Sequence, residues 1–89
     1  MKPVKIPIQD VLDLHTFKPK EIPDLLSDYF AACIDKGIYS VRIIHGKGRG
    51  ILKDHVRRLL KKNNMVASFS NAPLEAGDWG ATLVELRHK

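Results

Sequence analysis

Apolar residues at Ile22, Leu25, Leu26, Tyr29, Phe30, Cys33 and Ile34 follow the i, i+3, i+4, i+7, i+8 stripe of an amphipathic helix. Pro19 and Pro23 crowd its start. An interior proline loses a backbone hydrogen bond and clashes one turn back, so the helix is predicted to begin between them or to kink at Pro23. Lys36 and Gly37 supply the stop. The same period predicts a second helix over Ile51 to Lys62, with Leu52, Val56, Leu59 and Leu60 inward and Lys53, Arg57, Arg58, Lys61 and Lys62 outward or flanking. Asn63-Asn64 ends it.

The two-residue period of a pleated strand appears elsewhere. Val11 to His15 reads as a strand with Leu12 and Leu14 on one face and Val11, Asp13 and His15 on the other. Tyr39 to Ile44, rich in β-branched and aromatic residues, reads as a second strand, Met65 to Phe69 as a third and Ala81 to Arg87 as a fourth. Val4, Ile6 and Ile8 alternate with polar or proline positions, which fits an extended arm or edge strand. The order βαβαββ contains two β-α-β units, which call for right-handed crossovers between parallel neighbours. The expected fold class is α/β: a layer of two helices on a mixed four-stranded sheet. Residues 1–10 are read as the arm and 11–89 as one domain.

Size bounds this picture. With 89 residues, the chain has no room for a second core, since domains usually run to roughly 100–150 residues. The longest uninterrupted apolar run, Tyr29 to Ile34, is far short of the ~18 residues of a membrane-spanning helix. The basic start Met1-Lys2-Pro3-Val4-Lys5 is followed by no apolar signal region, so a cytoplasmic location is expected. Cys33 lies among apolar residues and is read as a buried structural thiol.

The formal charge of +5 hides its distribution. Residues 1–35 carry −2 and the last 27 residues −1, whereas residues 36–62 hold nine basic side chains against Asp54 alone, or +8. A field concentrated in this way on a small domain matches a phosphate backbone; the plainer alternative is a solvated helix face.

His45-Gly46-Lys47-Gly48-Arg49-Gly50 leaves a strand and opens a helix. Its glycines let the backbone approach an anion while free helix amides face it, and Lys47 and Arg49 add charge. The spacing matches neither the Walker pattern nor the dinucleotide fingerprint, so a nucleotide cofactor is not expected. Asp13 and His15 sit two positions apart on one strand face. A carboxylate on one imidazole nitrogen fixes the tautomer and raises the basicity of the other, as a general base requires. His45 ends the neighbouring strand, and ligands bind at the carboxyl ends of parallel strands, so the three groups are expected to converge beside the loop. Together they fit phosphodiester cleavage, with His15 or His45 moving protons and Lys47 and the loop amides stabilising the added charge. Gly46, Lys47, Gly48, Arg49, Gly50, Lys53 and Arg57 form the expected nucleic-acid contact.

Plainer roles stand beside these. Asp13 could cap the following turn, and either histidine could satisfy a carbonyl. A divalent metal on Asp13, His15 and His45 stays open, although the spacing contains no ligand pair. His55 and His88 lack such company, and Trp79 could stack on a base or close the core edge.

Leu12-Asp13-Leu14-His15, His45-Gly46-Lys47-Gly48-Arg49-Gly50, and Gly80-Ala81-Thr82 with Gly77 resemble, in order and spacing, three blocks of the small MutS-related (Smr) domain family. The likeness runs from about Val11 to Arg87. It implies a two-layer α/β sandwich similar to the C-terminal domain of a bacterial translation initiation factor. It also implies an endonuclease, since members include enzymes that nick DNA or cut RNA, and an association with ribosomes, since some act on messenger RNA at stalled ribosomes. Asp13 and His15 match the first block and His45, Gly46, Lys47 and Gly48 the second. Thr16 replaces the glycine after the histidine, and Asp78 stands where a second glycine is common. The leading expectation is thus a nucleic-acid endonuclease. The alternatives are a nucleic-acid or ribosome binding module without catalysis, and a protein-interaction domain whose affinity ignores salt.

Overall fold

Four strands form one mixed sheet in the order β1-β2-β4-β3, with both helices on one of its faces. The computed structural model describes residues 8–46, 50–73 and 80–88. The elements are β1 (Val11–Asp13), α1 (Ile22–Asp35), β2 (Ser40–Ile44), α2 (Ile51–Lys62), β3 (Val66–Asn71) and β4 (Ala81–Leu86). Of the arm expected over residues 1–10, residues 1–7 lie outside the described residues, as do Lys47, Gly48, Arg49 and Trp79.

Both helices follow their apolar stripes. Ile22, Leu26, Phe30 and Cys33 of α1 and Val56 and Leu60 of α2 are buried against Val41, Ile43, Val84 and Leu86 of the sheet. Burial pushes the Cys33 thiol above its ordinary value, the state of an inert core cysteine. The proline question resolves into two pieces. Pro19–Glu21 forms one 3-10 turn, and α1 starts at Ile22 with Pro23 in its first turn, where a missing N–H leaves no bond unmade. The Glu21 carboxylate accepts the Lys18 N–H at 2.8 Å, tying the turn shut.

The first crossover is as expected: β1 and β2 are parallel neighbours, Val11 opposite Arg42 and Asp13 opposite Ile44. The second differs. β2 and β3 run the same way but are not neighbours, because β4 inserts between them and pairs antiparallel with both. A β-α-β unit can open to admit a later strand, and strand periodicity carries no information on that choice.

Strand alternation sorts the side chains. Val41, Ile43, Thr82, Val84 and Leu86 face the helices and are buried. Through the pairing register, Val11, Asp13, Arg42, Ile44 and Leu83 lie on the opposite, helix-free face. No described helix is long and apolar enough to cross a membrane.

Candidate active site

β1 is shorter than the pattern suggests, because the chain turns as soon as Asp13 is placed. The Leu14 N–H still reaches the Ile44 carbonyl at 2.9 Å, and the Phe17 N–H closes the turn onto the Leu14 carbonyl at 3.2 Å. Leu14 is the anchor, buried in the core on the helix side. Its neighbours Asp13 and His15 therefore project the other way.

Asp13 Oδ1 accepts two hydrogen bonds from His15, one from the backbone N–H at 2.9 Å and one from the imidazole Nδ1 at 2.7 Å. A carboxylate only accepts, so Nδ1 carries a proton, and in the neutral imidazole Nε2 is the nitrogen with the lone pair. The backbone N–H, then the imidazole, hold the Asp13 carboxyl below its ordinary value. Both side chains are more than half exposed, His15 68% and Asp13 55%. The dyad is thus ionised on its acid side, oriented, and open to a substrate.

Continuing the β1–β2 register past Asp13 opposite Ile44 brings His15 opposite Gly46. A side chain at Gly46 would lie with its Cβ 4.0 Å from His15 Nε2. Gly46 also holds φ +83°, a left-handed conformation that costs an L-residue roughly 1–2 kcal/mol. His15 and the base of the glycine loop therefore meet at the carboxyl ends of adjacent parallel strands. At the loop's far end Gly50, with φ +82°, is the residue from which α2 starts, so the helix's free amides open toward the same loop.

His45 does not join them. Its parity in β2 is that of Val41 and Ile43, so it turns to the helix side and is 7% exposed. Nδ1 lies 3.0 Å from the Gly46 carbonyl and Nε2 2.9 Å from the Thr82 hydroxyl. The carbonyl only accepts, so Nδ1 donates to it and Nε2 accepts from Thr82. Burial lowers the His45 pKa; the bond to Gly46 opposes this, and Lys53 and Arg57 reinforce it. The expected convergence of three groups is corrected to a pair plus a buried neighbour: Asp13 and His15 share one side of the sheet, and His45 braces Gly46 from the other. Strand parity is the cause, since residues 15 and 45 sit one register step apart. The Gly80 carbonyl completes the brace, accepting the N–H groups of His45 at 3.0 Å and Gly46 at 2.8 Å.

A sequence profile of the Smr domain family matches residues 12–87. The chain belongs to the Smr domain family. This Smr domain is 40% identical over 75 residues to the protein named Endonuclease MutS2 of Helicobacter pylori strain 26695, an alignment covering 84% of the chain and 10% of that protein. It is 38% identical over 76 residues to Endonuclease MutS2 of Lactobacillus gasseri, covering 85% and 10%. The chain thus spans about a tenth of the length of these curated relatives. Among solved structures, the Smr domain of Thermus thermophilus MutS2 matches with a TM-score of 0.81 and 30% identity over 89% of this chain and 99% of that one. YdaL, a stand-alone small MutS-related protein from Escherichia coli, matches with a TM-score of 0.81 and 30% identity over 91% and 66%.

The basic residues of α2 divide in two. Arg58, Lys61 and Lys62 are exposed. Arg57 instead lies over the Phe69 ring, its guanidinium carbon 5.5 Å from the centroid, and donates to the Asn71 side chain. Lys53 and Arg57 lie in the first two turns of α2, and both act electrostatically on His45. Among the described residues no group of three or more His, Cys, Asp or Glu side chains gathers to hold a metal. The sequence reading missed Thr82 and Gly80 as partners of the loop. Thr82 was findable as the one polar residue on the helix-facing parity of β4, with Val84 and Leu86.

Proposed function

We propose that this Smr domain cuts the phosphodiester backbone of a nucleic acid. The observation that carries the reading is the Asp13–His15 pair with its free Nε2 set against Gly46. Nε2 takes the proton of the attacking hydroxyl as its oxygen bonds to phosphorus. The phosphorus–oxygen bond to the leaving group then breaks, and the leaving oxygen takes a proton from the imidazolium or from water. Asp13 holds the tautomer and stabilises the imidazolium. Gly46, Lys47, Gly48, Arg49 and Gly50 supply the phosphate contact, the Lys47 ammonium and the loop's backbone N–H groups being the chemistry that offsets the developing negative charge. Lys53 and Arg57 extend the positive field along the backbone. His45 holds Gly46 in place instead of moving protons, because both of its nitrogens are engaged.

The relatives' name, Endonuclease MutS2, supports this class. The deciding experiment incubates purified protein with single- and double-stranded DNA and RNA, with and without a chelator, comparing wild type with Asp13→Ala and His15→Ala. The reading predicts fragments from wild type and a deep loss in both variants. Equal cleavage by the variants contradicts it. Salt-sensitive binding with no cut product would instead make the domain a binding module, the reading favoured by the +8 segment.

A further inference from the structure

Beside the turn that carries His15, an apolar groove of about 410 Å³ opens in the seam between the outer edge of β1 and α1. Leu12, Leu25 and Tyr29 wall it, Phe17 stands in its lining, and Gln9 and Asp28 supply its polar groups. Phe17 is 37% exposed, one of two exposed large apolar side chains among the described residues. The backbone turn that closes Phe17 onto Leu14 holds His15 inside it, so Phe17 follows the proposed acid–base group by two residues within one short turn.

We infer that this groove is a nucleobase subsite: it takes the unpaired base of a nucleotide flanking the scissile phosphate, stacked on Phe17. The inference rests on the proposed cleavage reading and names its substrate class, a strand whose bases are free to leave their stack. Three features favour a base. The volume falls in the range of roughly 300–1,000 Å³ typical of small-molecule pockets. The walls are apolar and include two aromatic rings, the surface on which bases stack without regard to sequence. The charged group in the lining is a carboxylate, Asp28, which repels phosphate and accepts hydrogen bonds from the N–H edge of a base. Phe17, in the lining, closes the backbone turn that contains His15, so a base seated there would belong to a nucleotide next to the one at the dyad. A duplex keeps that base paired and pays unstacking before it can enter. Single-stranded substrate avoids this cost.

The test uses the full chain and labelled single-stranded oligonucleotides, DNA and RNA, in which one abasic residue is moved through the positions around the cut. Wild type is expected to lose about 5- to 150-fold in kcat/KM at one flanking position, the fold-change equivalent of a stacking contribution of ~1–3 kcal/mol. Phe17→Ala loses a similar factor on the intact strand and nothing further on that abasic strand, while Phe17→Trp restores the difference. Equal losses by Phe17→Ala on intact and abasic strands, or no abasic effect at any position, overturn the subsite. Binding of the same strands to His15→Ala, read by fluorescence anisotropy, separates the two readings. If nothing is cut but the abasic and Phe17 effects persist in binding, the cleavage reading fails and the subsite stands. If cleavage depends on His15 without them, the reverse holds. A concentration-dependent dimer abolished by Phe17→Ala gives the groove to a second copy and also overturns the proposal.

Discussion

Asp13 and His15 are joined by two hydrogen bonds through a single carboxylate oxygen, 2.9 Å from the His15 backbone N–H and 2.7 Å from its imidazole Nδ1. One bond shapes the turn and the other sets the tautomer, so the residue that ends β1 also prepares the base. Because the ring is exposed, its removal deletes chemistry and leaves the core intact. His15→Ala is therefore expected to lower kcat by roughly 10²–10⁴, with a melting temperature close to wild type, measured by cleavage of labelled oligonucleotides and by thermal denaturation. A loss of folding in step with activity would contradict the division.

Gly46 and Gly37 allow a controlled comparison. Both hold φ near +80°, at +83° and +78°, so alanine at either should cost about 1–2 kcal/mol through the backbone. Their surroundings differ. A Cβ at Gly46 meets His15 Nε2, whereas at Gly37 nothing lies within 4 Å. Thermal melts of Gly46→Ala and Gly37→Ala should fall by similar amounts, and only Gly46→Ala should lose cleavage as well. Equal activities would show that the approach to His15 is incidental.

His45 makes the fold sensitive to acid. Its folded pKa lies below the ordinary value of 6.5, so between the two values the unfolded chain binds more protons and stability rises with pH. This contribution is complete above about 6.5 and is lost as pH falls through the depressed folded value. Melting temperatures measured from pH 7.5 down to 5 should drop more steeply in wild type than in His45→Asn, whose amide can still donate to the Gly46 carbonyl. Parallel profiles would remove His45 as the cause.

Much of this was legible in the sequence, for physical reasons specific to each element. The stripe Ile22 to Ile34 and the segment Ile51 to Lys62 became α1 and α2, because a helix with one apolar face has one way to bury it. Asp13 and His15 met because a two-residue spacing across a strand end sets their side chains on one side. The place of β4 between β2 and β3 was not legible, since pairing partners are chosen by the whole sheet. The orientation of His45 was legible in the pattern: its parity in β2 is that of Val41 and Ile43, which sends it to the buried side, whereas the expected convergence rested only on its place at the strand's end. What the pattern could not give is its partner, Thr82, from a strand 37 residues further on.

Arg57 and Arg58 should separate stability from binding. Arg57 covers Phe69 and bonds Asn71, while Arg58 is exposed. Arg57→Ala is expected to lower both the melting temperature and the affinity for nucleic acid, and Arg58→Ala the affinity alone. For Arg58, the slope of log affinity on log salt should flatten by about 0.7–0.9 if one phosphate contact is lost. An unchanged slope would move the contact surface away from this side of α2.

The most direct test of the central claim, that the acid and the imidazole act as one catalytic unit, is a double-mutant cycle on cleavage rate with Asp13→Ala, His15→Ala and the pair combined. A unit gives losses that do not multiply, so the double variant should cut about as slowly as His15→Ala alone. Losses that multiply would mean that the two side chains serve the reaction independently, and would contradict the account.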